Sequence, residues 1–326
     1  MKAFDNVFYD PIDAQAWTGR VDADSADYYR WHQIIEFLDL NEDIQSLENK
    51  LVLLGFCCDE GVKRNQGRVG AKEAPDTLRK ILAGLPDHTN LYKRIADAGN
   101  IICVGEDMEA AQEELARRVS QIIKLGGLPL VIGGGHEVTY GNFRGVRETT
   151  PSRKVGVINF DAHLDIRETV ENRGNSGTGF YQIAEEAKLN KEEFHYLAIG
   201  IQDISNTKAL FKYAAENNVE IIKAKDIHTG TIDAIKNQIR EFSEKVDLVY
   251  VTIDMDVFAA PFAPGVSATA FSGIIPDPNF YSIFQSVLTI QNLKSMDIAE
   301  INPIYDIDNR TTKLAADLIF RVANIS

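Results

Sequence analysis

The chain has 326 residues, 44% of them hydrophobic and 25% charged, an ordinary globular composition with ample material for a core. Its 34 Lys and Arg against 48 Asp and Glu leave a net charge of −14, which argues against general affinity for nucleic acid, whose phosphates demand clustered cations. Three cysteines (Cys57, Cys58 and Cys103) without a CxxC pair do not suggest a disulfide framework. The amino-terminal stretch MKAFDNVFYDPIDAQ has no apolar signal core, and no apolar run approaches the roughly 18 residues that a membrane span needs. A reducing cytoplasm, with no membrane partner, is expected.

Residues 1–49 are polar and aromatic-rich and read as an extension that packs on the domain surface. From residue 50 to 326 the pattern is regular and reads as a single catalytic domain. Apolar runs recur: KLVLLGFC (50–57), IICVG (101–105), LPLVIGG (128–134), KVGVINF (154–160), FHYLAIGI (194–201), VEIIKA (219–224), DLVYVTI (247–253) and LKSMDIA (293–299). Helical spacing lies between most of them. AAQEELARRVSQIIKLG (110–126) is a clear case, with Gly126 placed to stop it. Runs that are apolar on both faces and alternate with helices predict an α/β fold with a mostly parallel sheet covered on both sides. Such sheets bind ligands beyond the carboxyl ends of their strands, so the residues after each run matter most.

After LPLVIGG comes GHE, after KVGVINF comes DAHLDIR, after DLVYVTI comes DMDVFAAPFAPGVSA, and after LKSMDIA comes EINPIYD. Four strand ends thus deliver His136, Asp161, His163, Asp165, Asp254, Asp256 and Glu300. Alone, each is an ordinary turn, cap or structural residue. Together, so many acidic groups on one edge would repel one another without cations among them. Two His and four Asp without Cys suit a borderline-hard ion such as Mn²⁺ better than structural zinc. Six ligands are too many for one open site and fit two ions sharing carboxylates. If the DAHLD segment is extended, Asp161, His163 and Asp165 point to one side. The other four histidines (His32, His88, His195 and His228) have no partners at ligand spacing.

GGGHE, DAHLD, DMD followed by APG, and EINP together resemble the signature set of the ureohydrolases, the family of arginase, agmatinase and formimidoylglutamase. The similarity runs from about Trp17 to near the carboxyl terminus. It implies an arginase-like three-layer α/β/α fold around an eight-stranded, mostly parallel sheet. It also implies two Mn²⁺ ions per subunit held by His136, Asp161, His163, Asp165, Asp254 and Asp256, with Asp161 and Asp254 bridging. In this family a metal-bridging hydroxide attacks a guanidinium or amidine carbon. Members often form oligomers, and this sequence shows no self-evident interface pattern.

Within the family, CDEGVKRNQGR (58–68), AWTGRVD (16–22), SGTGF (176–180), IGIQDISNT (199–207) and APGVSA (263–268) resemble the formimidoylglutamase branch. Ser176 stands near where arginase and agmatinase carry a histidine thought to shuttle protons. Lys63 and Gly179 depart from the branch, which carries Arg and Pro there. The implied reaction is hydrolysis of the formimidoyl C–N bond of N-formimidoyl-L-glutamate to L-glutamate and formamide. The alternative is another ureohydrolase releasing urea from a guanidino compound. The small-molecule substrate carries two carboxylates, for which Arg64, Arg68 and Arg167 are candidate partners, because planar guanidinium groups grip carboxylates bidentately. Ser176 is a further candidate substrate contact. Glu300 is expected to orient the nitrogen-bearing end, and Asp165 to carry a proton to the leaving amine.

Overall fold

The computed structural model describes residues 7–89, 91 and 94–325. The stretch read for a signal core and the extension assigned to 1–49 both begin on residues 1–6, which lie outside the described residues. Ser326, where the segment 50–326 ends, lies outside them too.

Ten strands form one sheet among the described residues: β1 Tyr9–Asp10, β2 Glu36–Phe37, β3 Leu51–Cys57, β4 Ile95–Ile102, β5 Leu128–Ile132, β6 Val155–Phe160, β7 His195–Ile201, β8 Glu220–Lys223, β9 Leu248–Asp254 and β10 Leu293–Ala299. Their order is β1-β4-β3-β5-β10-β9-β6-β7-β8, with β2 also paired to β4. Every pairing is parallel except β1 with β4.

The expected eight strands are therefore present with two more added at one edge. β1 and β2 have two residues each, too few to show a period of two in sequence. The run expected over 101–105 is the end of a longer strand. β4 starts at Ile95 and runs through Ala96, Asp97, Ala98, Gly99 and Asn100, which are poor strand formers. What holds them is burial: Asp97 is fully buried and receives Arg79 through Nε at 2.7 Å and Nη2 at 3.0 Å. Trp17, from the amino-terminal segment, donates its indole N–H to the same carboxylate at 2.8 Å.

Helices cover both faces. Residues alternate along each strand between two cores, as a period of two requires. In β9, Val249, Val251 and Ile253 enter one core, while Leu248 and Tyr250 enter the other. The first core packs against the helices Ala74–Leu82, Pro278–Leu288 and Arg310–Ala323. The second packs against Met108–Lys124, Val138–Thr149 and Gly179–Asn190. The helix expected over 110–126 spans Met108–Lys124, and Gly126 follows with φ of 91°, a left-handed stop that suits glycine.

No helix among the described residues is long and apolar enough to cross a membrane. The consequence for function lies in the sheet order. β5, β10, β9 and β6 are neighbours in space although up to 165 residues separate their sequences, from Leu128 to Leu293. Their carboxyl ends form one edge.

The Arg79–Asp97 pair gives a stability test. Asp97→Ala strands a buried guanidinium and should lower the unfolding free energy by about 3–5 kcal/mol. A urea midpoint that shifts down at unchanged slope would register this; an unshifted midpoint would contradict it.

Candidate metal centre

The four neighbouring strand ends bring six side chains together. His136 follows β5, Asp161, His163 and Asp165 follow β6, Asp254 closes β9, and Asp256 follows it. His136 Nδ1 lies 2.8 Å from Asp165 Oδ2, 3.3 Å from Asp161 Oδ2 and 3.3 Å from Asp254 Oδ2. His163 Nδ1 lies 2.9 Å from Asp256 Oδ2 and 3.5 Å from Asp161 Oδ1. Two groups of potential metal ligands result: His136, Asp161, Asp165 and Asp254, and Asp161, His163 and Asp256. Within each, the ligand atoms all lie within 4.8 Å of one another.

Asp161 belongs to both groups and presents one oxygen to each histidine. Asp254 belongs to the first group, and its Oδ1 accepts the Asp256 backbone N–H at 2.8 Å.

The backbone does not simply extend here. Strand β6 ends at Phe160, and Asp165 has φ of 47°, so DAHLD turns rather than running straight. The three ligand types still converge, held by local bonds. The His163 N–H donates to Asp161 Oδ1 at 2.7 Å, and the Leu164 N–H to Asn206 Oδ1 at 2.9 Å. Asn159, two residues earlier, donates to Asp161 Oδ2 at 3.0 Å. Gly134 permits the closest approach. A Cβ there would sit 1.6 Å from the Cys58 carbonyl oxygen, so no side chain fits between the ends of β5 and β3.

Glu300 closes the site from β10. It too is left-handed, with φ of 67°, and its Oε1 accepts the His136 backbone N–H at 2.7 Å. Behind it Glu137 is fully buried, and its Oε1 accepts the Gly61 N–H at 2.9 Å.

Burial of this many acids has electrostatic consequences. It pushes Asp256 up to about 6, Glu300 to about 7 and Glu137 to about 8. Burial also raises Asp254 well above the carboxylate range, with Asp256 and Asp161 adding repulsion. Asp165 is raised by burial and by Asp161. Burial opposes protonation of His136, but hydrogen-bonded Asp161 and Asp165 outweigh it and hold the imidazole well above its usual value. Asp256 does the same for His163. Asp161 alone moves down: burial opposes this, and the two histidines overcome it. Apart from that of Asp161, these shifts all lower the net negative charge of the cluster, the direction in which cations would also act. Asp256 Oδ1 is buried and has no hydrogen-bond partner among the described residues, the kind of lone pair a cation would take. The donor set, all imidazole and carboxylate, fits a divalent metal of borderline or hard character.

A cavity of about 320 Å³ opens above this floor, lined by His163, Asp165, Asp254, Asp256 and Glu300 together with Arg68, Arg167 and Ser176. Arg167 is exposed at its wall, and neither Arg68 nor Arg167 forms an ion pair among the described residues. Arg68 donates to the carbonyls of Ser267 and Val266 at 3.4 and 2.5 Å and stacks on Tyr305, 4.3 Å from the ring centre. Ser176 accepts from Asn65 Nδ2 at 3.0 Å.

Arg64 is not among the residues that line this cavity, and its guanidinium is engaged by Glu60 at 3.1 Å, Glu109 at 2.6 Å and the Glu106 and Gly174 carbonyls at 3.0 and 3.1 Å. It sits in the short helix Glu60–Arg64, while Arg68 lies beyond the helix end, in the loop that faces the cavity. His32, His195 and His228 stand apart, next to Ala83 O, Glu193 and Gly273 O respectively.

The surrounding chain resembles known proteins along its length. A model of the arginase family matches residues 49–324. Formimidoylglutamase of Chromobacterium violaceum is 41% identical over 313 residues, covering 96% of this chain and 98% of that protein. Formimidoylglutamase of Geobacillus thermodenitrificans is 41% identical over 310 residues, covering 94% of each. The crystal structure of Trypanosoma cruzi formiminoglutamase with Mn²⁺ superposes with a TM-score of 0.74 at 26% identity, over 84% of this chain and 92% of that one. The chain belongs to the arginase family.

The raised groups set a pH dependence. A group whose folded value is raised binds its proton more tightly in the folded state, so its stabilisation fades as pH climbs through that value. For Asp256, Glu300 and Glu137 this window runs from about pH 4 to about pH 8. Metal-free protein should therefore lose melting temperature between about pH 5 and pH 8, and the gain from added Mn²⁺ should grow over the same interval. Calorimetry with and without the ion checks this; a Mn²⁺ gain that shrank with rising pH would contradict it.

Proposed function

We propose that this member of the arginase family hydrolyses the formimidoyl C–N bond of N-formimidoyl-L-glutamate, releasing L-glutamate and formamide. The full-length likeness to formimidoylglutamases carries the reading. The geometry supports it: one cavity joins an acid-and-imidazole floor to two guanidinium groups that form no ion pair among the described residues. Residues 50–326 act as a single catalytic domain, with residues 7–49 packed against it. Its substrate is a small molecule, and the reading includes a cytoplasmic location.

His136, Asp165 and Asp254 would hold one Mn²⁺, and His163 and Asp256 a second, with Asp161 shared between them. Bound there, the ions would supply an activated water and Lewis-acid polarisation of the carbon under attack. The chain's own residues supply orientation. Arg68 and Arg167 grip the substrate's carboxylates at the cavity wall, Arg68 pre-set by its carbonyl bonds and by Tyr305. Glu300, locked through Oε1 to the His136 N–H, faces the cavity from the floor and orients the nitrogen-bearing end. Asp165, whose side chain is 12% exposed at the cavity, carries a proton to the departing amine. Ser176, tied to Asn65, lines the cavity wall and is a further contact for the substrate.

The test is a substrate panel with Mn²⁺-loaded protein. N-formimidoyl-L-glutamate should yield glutamate and formamide, while arginine, agmatine and guanidinobutyrate yield no urea. Urea from a guanidino compound at a higher kcat/KM would replace this reading with the alternative one.

The arginines separate in kinetics. Arg167→Leu removes one charge-assisted grip, and KM should rise about tenfold or more, equivalent to about 1.4 kcal/mol. Arg64→Leu should leave KM within about twofold and lower the melting temperature instead, because its partners are structural. Steady-state kinetics alongside a melting curve for each variant decides; a KM raised by Arg64→Leu alone would reverse the assignment.

A further inference from the structure

The short helix Glu60–Arg64 leads into the cavity wall, and the way it ends has no account so far. The Gln66 N–H donates to the Lys63 carbonyl at 3.0 Å, and the Gly67 N–H to the Val62 carbonyl at 2.9 Å. This pair of bonds closes a helix through one left-handed residue. Gln66 is that residue, with φ of 62°. Glycine takes such a place at little cost, and a residue with a Cβ does not. Yet glycine stands one position later, at Gly67.

Backbone held in a costly region asks what the side chain gains there. Among the described residues, three non-glycine residues with positive φ line the cavity: Gln66, Asp165 and Glu300. For Asp165 and Glu300 the turn serves a carboxylate of the floor. Gln66 belongs to the wall. Together with Asn65 and Arg167 it lines both this cavity and an adjoining one of about 610 Å³, so it stands with Arg167 where the two meet. The neighbouring amide is already engaged, since Asn65 Nδ2 donates to Ser176 at 3.0 Å. The Gln66 side chain forms no hydrogen bond among the described residues. Its amide holds two N–H donors, whereas an ionised carboxylate only accepts.

We infer that Gln66 is a further specificity-determining residue, whose Nε2 donates to a substrate carboxylate beside Arg167. This rests on the reading of the cavity as the site for N-formimidoyl-L-glutamate. The turn at Gln66 is less stable than glycine would make it, and the amide is what glycine lacks.

The test is steady-state kinetics with N-formimidoyl-L-glutamate on the Mn²⁺-loaded whole chain, with a melting curve for each variant. Gln66→Gly should raise KM about tenfold, with kcat within about twofold, because binding rather than the chemical step loses a contact. Its melting temperature should rise by about 1–2 °C. A merely structural role would not give a weaker site in a more stable protein. Gln66→Glu keeps the shape and puts an acceptor where the donor was, so its KM should rise further still. Lys191→Gly is the control. Lys191, with φ of 57°, closes the helix Gly179–Asn190 by the same pair of bonds, Lys191 N–H to Lys188 O at 3.1 Å and Glu192 N–H to Ala187 O at 2.8 Å, and does not line the cavity. That variant should gain melting temperature and keep the wild-type KM. A wild-type KM in Gln66→Gly or Gln66→Glu, or an equal rise in Lys191→Gly, would overturn the inference alone. Should Gln66→Gly fail to fold, Gln66→Glu decides by the same measurement. Wild-type protein that left N-formimidoyl-L-glutamate intact would overturn the reading of the cavity, and the inference with it.

Discussion

Repulsion among buried carboxylates is the constraint on which the rest of this structure turns. Asp161, Asp254, Asp256 and Glu300 are each at most 4% exposed and converge with Asp165 on one sheet edge. Ionised together and uncompensated, they could not remain in a low-dielectric interior. The same repulsion drives the two imidazoles up and most of the acids with them, each shift favouring the form with less negative charge. Divalent cations remove the same repulsion without protons and leave the acids ionised. Folding and metal uptake at this edge answer one electrostatic demand.

Meeting that demand requires backbone in costly conformations. Asp165 and Glu300 are non-glycine residues with φ of 47° and 67°, a region that L-residues enter at a cost of about 1–3 kcal/mol. Both stand where a strand has just ended and a carboxylate has to turn towards its neighbours. The surrounding bonds over-determine them: the His136 N–H holds Glu300, and Asn206 holds Leu164 beside Asp165. Parallel strands make this possible. Their carboxyl ends all open on one edge, so residues from β5, β6, β9 and β10 reach one point without the strands being consecutive.

How much of this was legible in the sequence depends on whether the signal was local. The eight long strands and the ligand-bearing segments after four of them were readable, because buried parallel strands leave continuous apolar runs. β4 was misplaced, since IADAGN owes its strand to the Asp97–Arg79–Trp17 contacts, which sequence spacing does not encode. The separation of Arg64 from Arg68 was equally hidden. Four residues apart, they fall on opposite sides of a helix end, and only the positions of Glu60 and Glu109 show which one is engaged.

The same electrostatics bear on substrate entry. A chain of net charge −14 with an acidic cavity floor is a poor host for a substrate that carries two carboxylates. Two features reverse the local sign. Arg68 and Arg167 line the wall and form no ion pair among the described residues, although acids outnumber basic residues 48 to 34 in the chain. Cations held in the floor turn a repulsive surface into an attractive one. The metals would therefore be needed twice, once to let the acids share a buried edge and once to let an anion approach it. A cavity serving that end should hold its two cationic side chains away from acidic partners. This one does so by tying Arg68 to neutral carbonyls and leaving Arg167 at the open wall.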